Sequence, residues 1–223
     1  MGPRKADKDM LADRLLKKFG RGEPIFTSEI IDAWRELSRS GVFRMIRKLL
    51  NEETILRDEI GIYYIPEEGV TRKWSVLGRS QIIEKKYIMY DGDIYGYYSG
   101  ITLLNGLHLT TQMAYHVEIV TSKISSRKIK LRNHPITLRR SKAPIDKNNV
   151  HALMLLEAAG DMDGPFLDED MEEGPGYRDE VRWIKEFIEL KMIKKEDVLR
   201  YAEYFPKRAL KNLLETGLDV LFD

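Results

Sequence analysis

Four histidines, His108, His116, His134 and His151, are the side chains best suited to proton transfer near neutral pH or to metal ligation. Their spacing matches no metal-ligand pattern. With 0 Cys there is no thiol nucleophile, no disulfide and no cysteine-ligated zinc. Ser99-Gly100 lacks the preceding glycine of a nucleophile elbow. No glycine loop of the P-loop type cradles a phosphate. A metal-dependent nuclease needs acidic residues near a lysine around a divalent cation. Glu118 with Lys123, or Asp161 with Asp163, have suitable types, but nothing in the sequence prefers them. Asp161-x-Asp163 opens like a calcium loop, yet Pro165 and the missing glutamate break that pattern. The expectation is a non-enzyme with no cofactor and no metal.

Cations offer a different chemistry. The formal net charge of +1 hides segregation along the chain. Residues 1–70 carry 13 basic and 13 acidic side chains, residues 71–150 carry 14 and 5, and residues 151–223 carry 10 and 18. A basic middle beside an acidic tail points to an anionic partner or to neutralisation within the fold. Within the first segment the cations cluster locally. Arg44, Arg47 and Lys48 lie opposite an apolar stripe of Val42, Phe43, Ile46, Leu49 and Leu50, with Arg39 and Ser40 at the start. Arginine can donate two parallel hydrogen bonds to guanine or pair with phosphate.

The elements that must position these groups read as follows. Asp9 to Phe19 has helical apolar spacing and is stopped by Gly20 and Gly22. Ile25 and Phe26 read as extended, and Thr27 or Ser28 can cap a second helix to about Trp34. A third helix runs roughly from Ser40 to Asn51. Thr54 to Arg57 and Gly61 to Ile65 read as a hairpin turning at Asp58, Glu59 and Ile60. Three helices followed by a two-stranded wing is the winged helix-turn-helix layout, whose third helix enters the DNA major groove. Arg57 on the wing is placed to reach an adjacent phosphate.

The middle begins with a basic linker anchored by Trp74, Val76 and Leu77, then a short element from Gln81 to Lys86. Tyr87 to Tyr90 reads as a strand and Asp91-Gly92-Asp93 as a turn. Ser99 to Leu107 reads as a helix, leaving through an extended Thr110-Thr111-Gln112. Beyond it, His116–Thr121, Lys128–Arg132 and Ile136–Arg139 alternate as strands of a β meander. Lys128, Lys130, Arg132, Arg139 and Arg140 would lie on or beside one sheet face. Such crowding needs an anion, so a second nucleic-acid surface, the acidic tail and plain solvent all remain open. The tail reads as a helix from Asn149 to Ala159, an acidic loop over 160–176, and three helices near 177–191, 195–204 and 206–215. The closing Leu218, Val220, Leu221 and Phe222 should dock rather than trail.

The stretch Tyr95 to Gln112, with Asn105 and the Leu109-Thr110-Thr111-Gln112 exit, resembles the AbiEi-type antitoxins of type IV toxin–antitoxin and phage-defence systems. The run Gly61-Ile62-Tyr63-Tyr64-Ile65 resembles that family's wing, and Val117–Thr121 with Ile129–Arg132 resembles a later block. The resemblance covers roughly residues 25–160. One departure is His108, where the family usually has glycine, a residue that tolerates a left-handed helix end better. The resemblance implies a repressor of its own operon that counters a nucleotidyltransferase-like toxin without a stable complex.

The expected fold class is α+β: an N-terminal winged helix over 1–70, a central small antiparallel sheet with helices over 71–160, and an acidic loop with a helical region over 161–223. The expected function is a DNA-binding regulator of antitoxin type, acting on double-stranded DNA at its own promoter. The alternatives are an adaptor docking an acidic protein on the basic sheet, and a metal-dependent defence nuclease. No long apolar run reads as a membrane span and no secretory signal is evident, which implies a cytoplasmic protein.

Overall fold

A computed structural model describes residues 5–69, 76–164, 175–217 and 221–222. The expectations that rest on Trp74, on residues 165–174 of the acidic loop, and on Leu218 and Val220 lie outside the described residues. The fold is mixed α+β, in two compact units, Met1–Lys85 and Lys86–Asp223. The helices expected as a third region belong to the second unit, because they pack on the helix that covers its sheet. No helix among the described residues is long and apolar enough to cross a membrane.

In the first unit α1 (Lys5–Phe19), β1 (Ile25–Phe26), α2 (Thr27–Ala33), α3 (Arg39–Asn51), β2 (Leu56–Glu59) and β3 (Ile62–Tyr64) follow in order. The strands form an antiparallel sheet ordered β1-β3-β2. Helix α3 starts at Arg39 because the Ser38 hydroxyl accepts the Gly41 N–H at 3.2 Å. Its buried face is Val42, Met45, Ile46 and Leu49, packed with Leu11, Leu15, Ile30, Trp34 and Ile55. Burial of those four α3 side chains contributes about 6–12 kcal/mol. The hairpin turns at Ile60 and Gly61, later than the sequence implies. Gly61 supplies the left-handed backbone there (φ 81°), and β2 carries an irregularity at Asp58. The Thr27 N–H and hydroxyl both donate to the Gly61 carbonyl, at 3.0 and 3.3 Å, which ties the start of α2 to the hairpin.

A buried lysine completes this unit. α4 (Arg79–Ile83) is followed by a π-helical turn, Glu84–Ile88. Lys85 donates to the Pro24 carbonyl at 2.5 Å, pairs with Glu29 at 3.2 Å and lies over the Phe19 ring at 4.5 Å. Glu29 also accepts the Phe26 N–H at 2.8 Å, capping α2.

The second unit opens with a small hairpin, β4 (Met89–Tyr90) and β5 (Asp93–Ile94). The strand expected from Tyr87 is shorter, since the π-helical turn takes Tyr87 and Ile88 and buries both. β6 (Gly96–Ser99), α5 (Gly100–Gly106), β7 (Val117–Thr121), β8 (Arg127–Leu131) and β9 (His134–Arg140) come next. Their sheet is ordered β6-β7-β9-β8, with β7 and β9 parallel. The expected antiparallel meander is thus corrected to a mixed sheet. Residues 122–126 let the chain skip one position, and β9 returns into the gap. That places Ile136 and Leu138 centrally and leaves Lys128 and Lys130 on the edge strand, where charge blunts unwanted pairing. The β8–β9 turn is Arg132-Asn133, both left-handed (φ 48° and 63°), while His134 and Pro135 belong to the strand. Gly96 sits where its neighbours leave no room: a Cβ would lie 2.1 Å from the Tyr87 carbonyl oxygen and 2.8 Å from that of Val120.

α6 (Val150–Asp161) is buried nearly all round, including Leu153, Leu155, Leu156, Ala158 and Ala159. It packs with β6, α5, α8 (Lys195–Tyr201) and α9 (Lys207–Thr216). Ile184 and Ile188 of α7 (Pro175–Leu190), together with Leu221, join the same core.

Two substitutions test this architecture. Lys85→Ala leaves Glu29 and the Pro24 carbonyl without their donor and lowers stability by roughly 3 kcal/mol in denaturant titration. Exposed Lys17→Ala stays within about 0.5 kcal/mol. Burial, opposed by Glu29, holds the Lys85 ammonium below its ordinary pKa. The folded chain therefore holds fewer protons than the unfolded one between that lowered value and the usual lysine range, and stability from this group rises with pH there. Gly96→Ala forces β6 away from Tyr87 and abolishes the native melting transition of the second unit.

Candidate functional site

The residues singled out on α3 sit on its solvent side. Arg39, Ser40, Arg44 and Arg47 are exposed and Lys48 is half-buried at the flank. Ser40, Arg44 and Arg47 recur at i, i+4 and i+7, so they form one strip along the helix. The strip exists because the four apolar residues of α3 hold the other side against the core. Ser40 meets the Ser38 hydroxyl at 3.1 Å and Arg39 lies 5.9 Å from the Phe43 ring. Arg44, Arg47 and Lys48 make no side-chain hydrogen bond or ion pair with a described residue, which leaves their donors open to an external acceptor. Phe43, expected in the buried stripe, is instead 41% exposed within the strip. Arg57 is exposed on β2, and the neighbouring turn presents Ile60, 95% exposed.

The second expected surface comes out differently. Lys128 and Lys130 are exposed on the edge strand, opposite Thr137 and Pro135. Arg132 lies half-buried in the hairpin turn. Arg139 turns toward α6 and engages Glu157 and Ser99. Arg140 follows directly on the strand, so it alternates to the other side, and its N–H donates to the Ser126 hydroxyl at 2.8 Å. One face carrying all five cations does not form, because strand alternation splits the last two and a carboxylate draws Arg139 inward.

That carboxylate is the feature the sequence reading missed. Glu157 is buried on α6 and accepts from the Ser99 hydroxyl at 2.7 Å and the Tyr97 hydroxyl at 3.5 Å as well as from Arg139. Asp161, one turn on, accepts the Gly100 N–H at 3.2 Å. Burial opposes the Arg139 charge, but Glu157, Asp161 and Glu118 outweigh it and raise its pKa. Burial and the Glu157 charge push the Asp161 carboxyl up, against Arg139 and the Gly100 N–H. Burial and Glu157 likewise raise the Tyr97 phenol. Ser99 is fully buried with both hydrogen-bond roles in use, which suits a clamp between sheet and helix rather than a nucleophile. The signal was present: Glu157 is the one acidic residue within Val150–Gly160, and a carboxylate on an all-round buried helix demands a cationic partner.

The motif around Asn105 has a local explanation too. Asn105 donates to the Gln112 carbonyl at 2.8 Å, holding the extended exit against α5. His108 is left-handed (φ 59°) and closes α5 as a Schellman motif, with Leu109 N–H on Leu104 at 2.8 Å and His108 N–H on Asn105 at 3.1 Å. Its ring lies 4.7 Å from that of Trp183, a contact glycine would lack. His116 meets Glu118 at 3.1 Å. Among the described residues no group of three or more His, Asp or Glu side chains forms a metal-holding cluster.

The clamp yields an asymmetric expectation. Arg139→Ala strands a buried carboxylate and costs roughly 3 kcal/mol. Glu157→Gln frees an arginine that already reaches water and costs less. Equal losses in chemical denaturation contradict the clamp. The raised Asp161 pKa means that the folded chain holds more protons just above the ordinary carboxylate range, so stability from this group falls as pH rises through that window. Asp161→Asn removes that slope from the pH dependence of the melting temperature. No protein-family model matches the chain and no curated protein matches its sequence, so the function of these surfaces rests on their own chemistry.

Proposed function

We propose that residues 5–65 act as a winged helix-turn-helix that binds double-stranded DNA through α3, and that the protein is a transcriptional regulator of antitoxin type. The observation that carries this reading is the strip on α3. Arg44 and Arg47 project from the side opposite the buried stripe and make no bond to a described acceptor. A major groove offers such guanidinium groups guanine edges and phosphates. Arg39 and Ser40 fall in the first turn of α3, the end that meets base edges in helix-turn-helix docking. In this reading Arg44, Arg47 and Ser40 read bases, while Arg39, Lys48 and Arg57 hold phosphate.

The antitoxin part rests on the resemblance alone. The protein would act in the cytoplasm, repress its own promoter, and oppose a nucleotidyltransferase-like toxin without a stable complex.

A gel-shift titration on the DNA upstream of its own gene tests the DNA-binding reading. Arg47→Ala weakens binding by about 1–3 kcal/mol, roughly 5- to 150-fold. Arg57→Ala weakens all duplexes alike and reduces the salt slope by about one. Equal binding by wild type and Arg47→Ala sinks the assignment of α3.

A further inference from the structure

A cavity of about 300 Å³ opens in the second unit beside the Arg139–Glu157 clamp. We propose that it binds a nucleoside monophosphate. This site is separate from α3, and the inference does not rest on DNA binding.

The cations make the first part of the case. Lys142 just beyond β9 and Arg208 in the first turn of α9 line the cavity, and Arg140 borders it with its backbone N–H on Ser126, its side chain taking the other side of the sheet. None of the three side chains has a hydrogen bond or ion pair with a described residue. Arg139 also lines it, but its charge is already committed to Glu157. Lys142 and Arg208 come from separate stretches of chain and hold no partner among the described residues, so an anion that joins them relieves their mutual repulsion. Arg208 brings a guanidinium, whose fork matches phosphate oxygens.

The remaining wall explains why the anion should carry a ring. Tyr97, Tyr204 and Phe205 line the same cavity, and the latter two are half-buried. Aromatic side chains beside cations are how proteins hold a base and its phosphate together. Asp161 also lines the cavity, and with one oxygen accepting the Gly100 N–H its other oxygen can accept from an exocyclic amine. Size limits the occupant. Ligand cavities run from about 300 to 1,000 Å³, and this one lies at the small end, fit for one nucleotide and not for a strand.

Isothermal titration calorimetry on the full chain, without DNA, tests the site. AMP, GMP, CMP and UMP are titrated in turn, with inorganic phosphate as the comparison. At least one nucleotide should bind with Kd below about 1 mM and more tightly than phosphate. Arg208→Ala and Lys142→Ala, both at exposed positions, should each weaken it by about tenfold. Tyr204→Leu should remove most of the advantage over phosphate. Circular dichroism melting confirms that each variant is folded. No heat with any nucleotide at about 5 mM overturns the proposal. So does binding that ignores both cation variants, and so does a nucleotide affinity equal to that of phosphate.

Discussion

Burial of one stripe on α3 decides what its other side can do. Val42, Met45, Ile46 and Leu49 are fixed in a core built from α1, α2 and the hairpin. A helix has one such stripe, so Ser40, Arg44 and Arg47 have no route inward. Their exposure is therefore a consequence of packing, not a local choice of rotamer. The same core fixes β2 and β3, and with them Arg57. Any ligand of this strip meets a helix backbone already held in place, so the ordering cost of binding falls on the side chains.

The second unit solves a different problem. α6 is buried nearly all round, yet it carries a carboxylate. Glu157 is tolerable there only because Arg139, Ser99 and Tyr97 surround it. β9 lies inside the sheet beside β7, and from there Arg139 reaches α6. An ion pair with one buried and one exposed partner adds little net stability but penalises any other register of β9, because a slip of one residue would turn Arg139 away and leave Glu157 buried without it.

The sequence and the structure agree where one physical signal dominates. Helical periodicity located α1, α2, α3, α6 and the three tail helices, because each has a clear apolar stripe or core. Alternation located Ile129, Leu131, Ile136 and Leu138 on the inner side of the sheet. It could not order the strands, because alternation says which face a residue takes and not which neighbour its strand pairs with. Lys85 fell in the short element from Gln81 to Lys86 with nothing beside it in the sequence to mark it as buried, and only tertiary contact reveals Glu29 and the Pro24 carbonyl around it. Arg139 read as part of a basic face for the same reason: its partner stands 18 residues on, on another element. The α3 strip was legible in full, apart from Phe43, whose position at the edge of the stripe left it outside.

The central claim is that a duplex meets α3 and the hairpin after it. The most direct test is backbone amide chemical-shift mapping of the full chain with and without a duplex from its own upstream region. Perturbation concentrated at residues 39–48 and 57–61, fading as salt rises, is the expected result. Shifts that leave those residues untouched while the duplex is bound would contradict it.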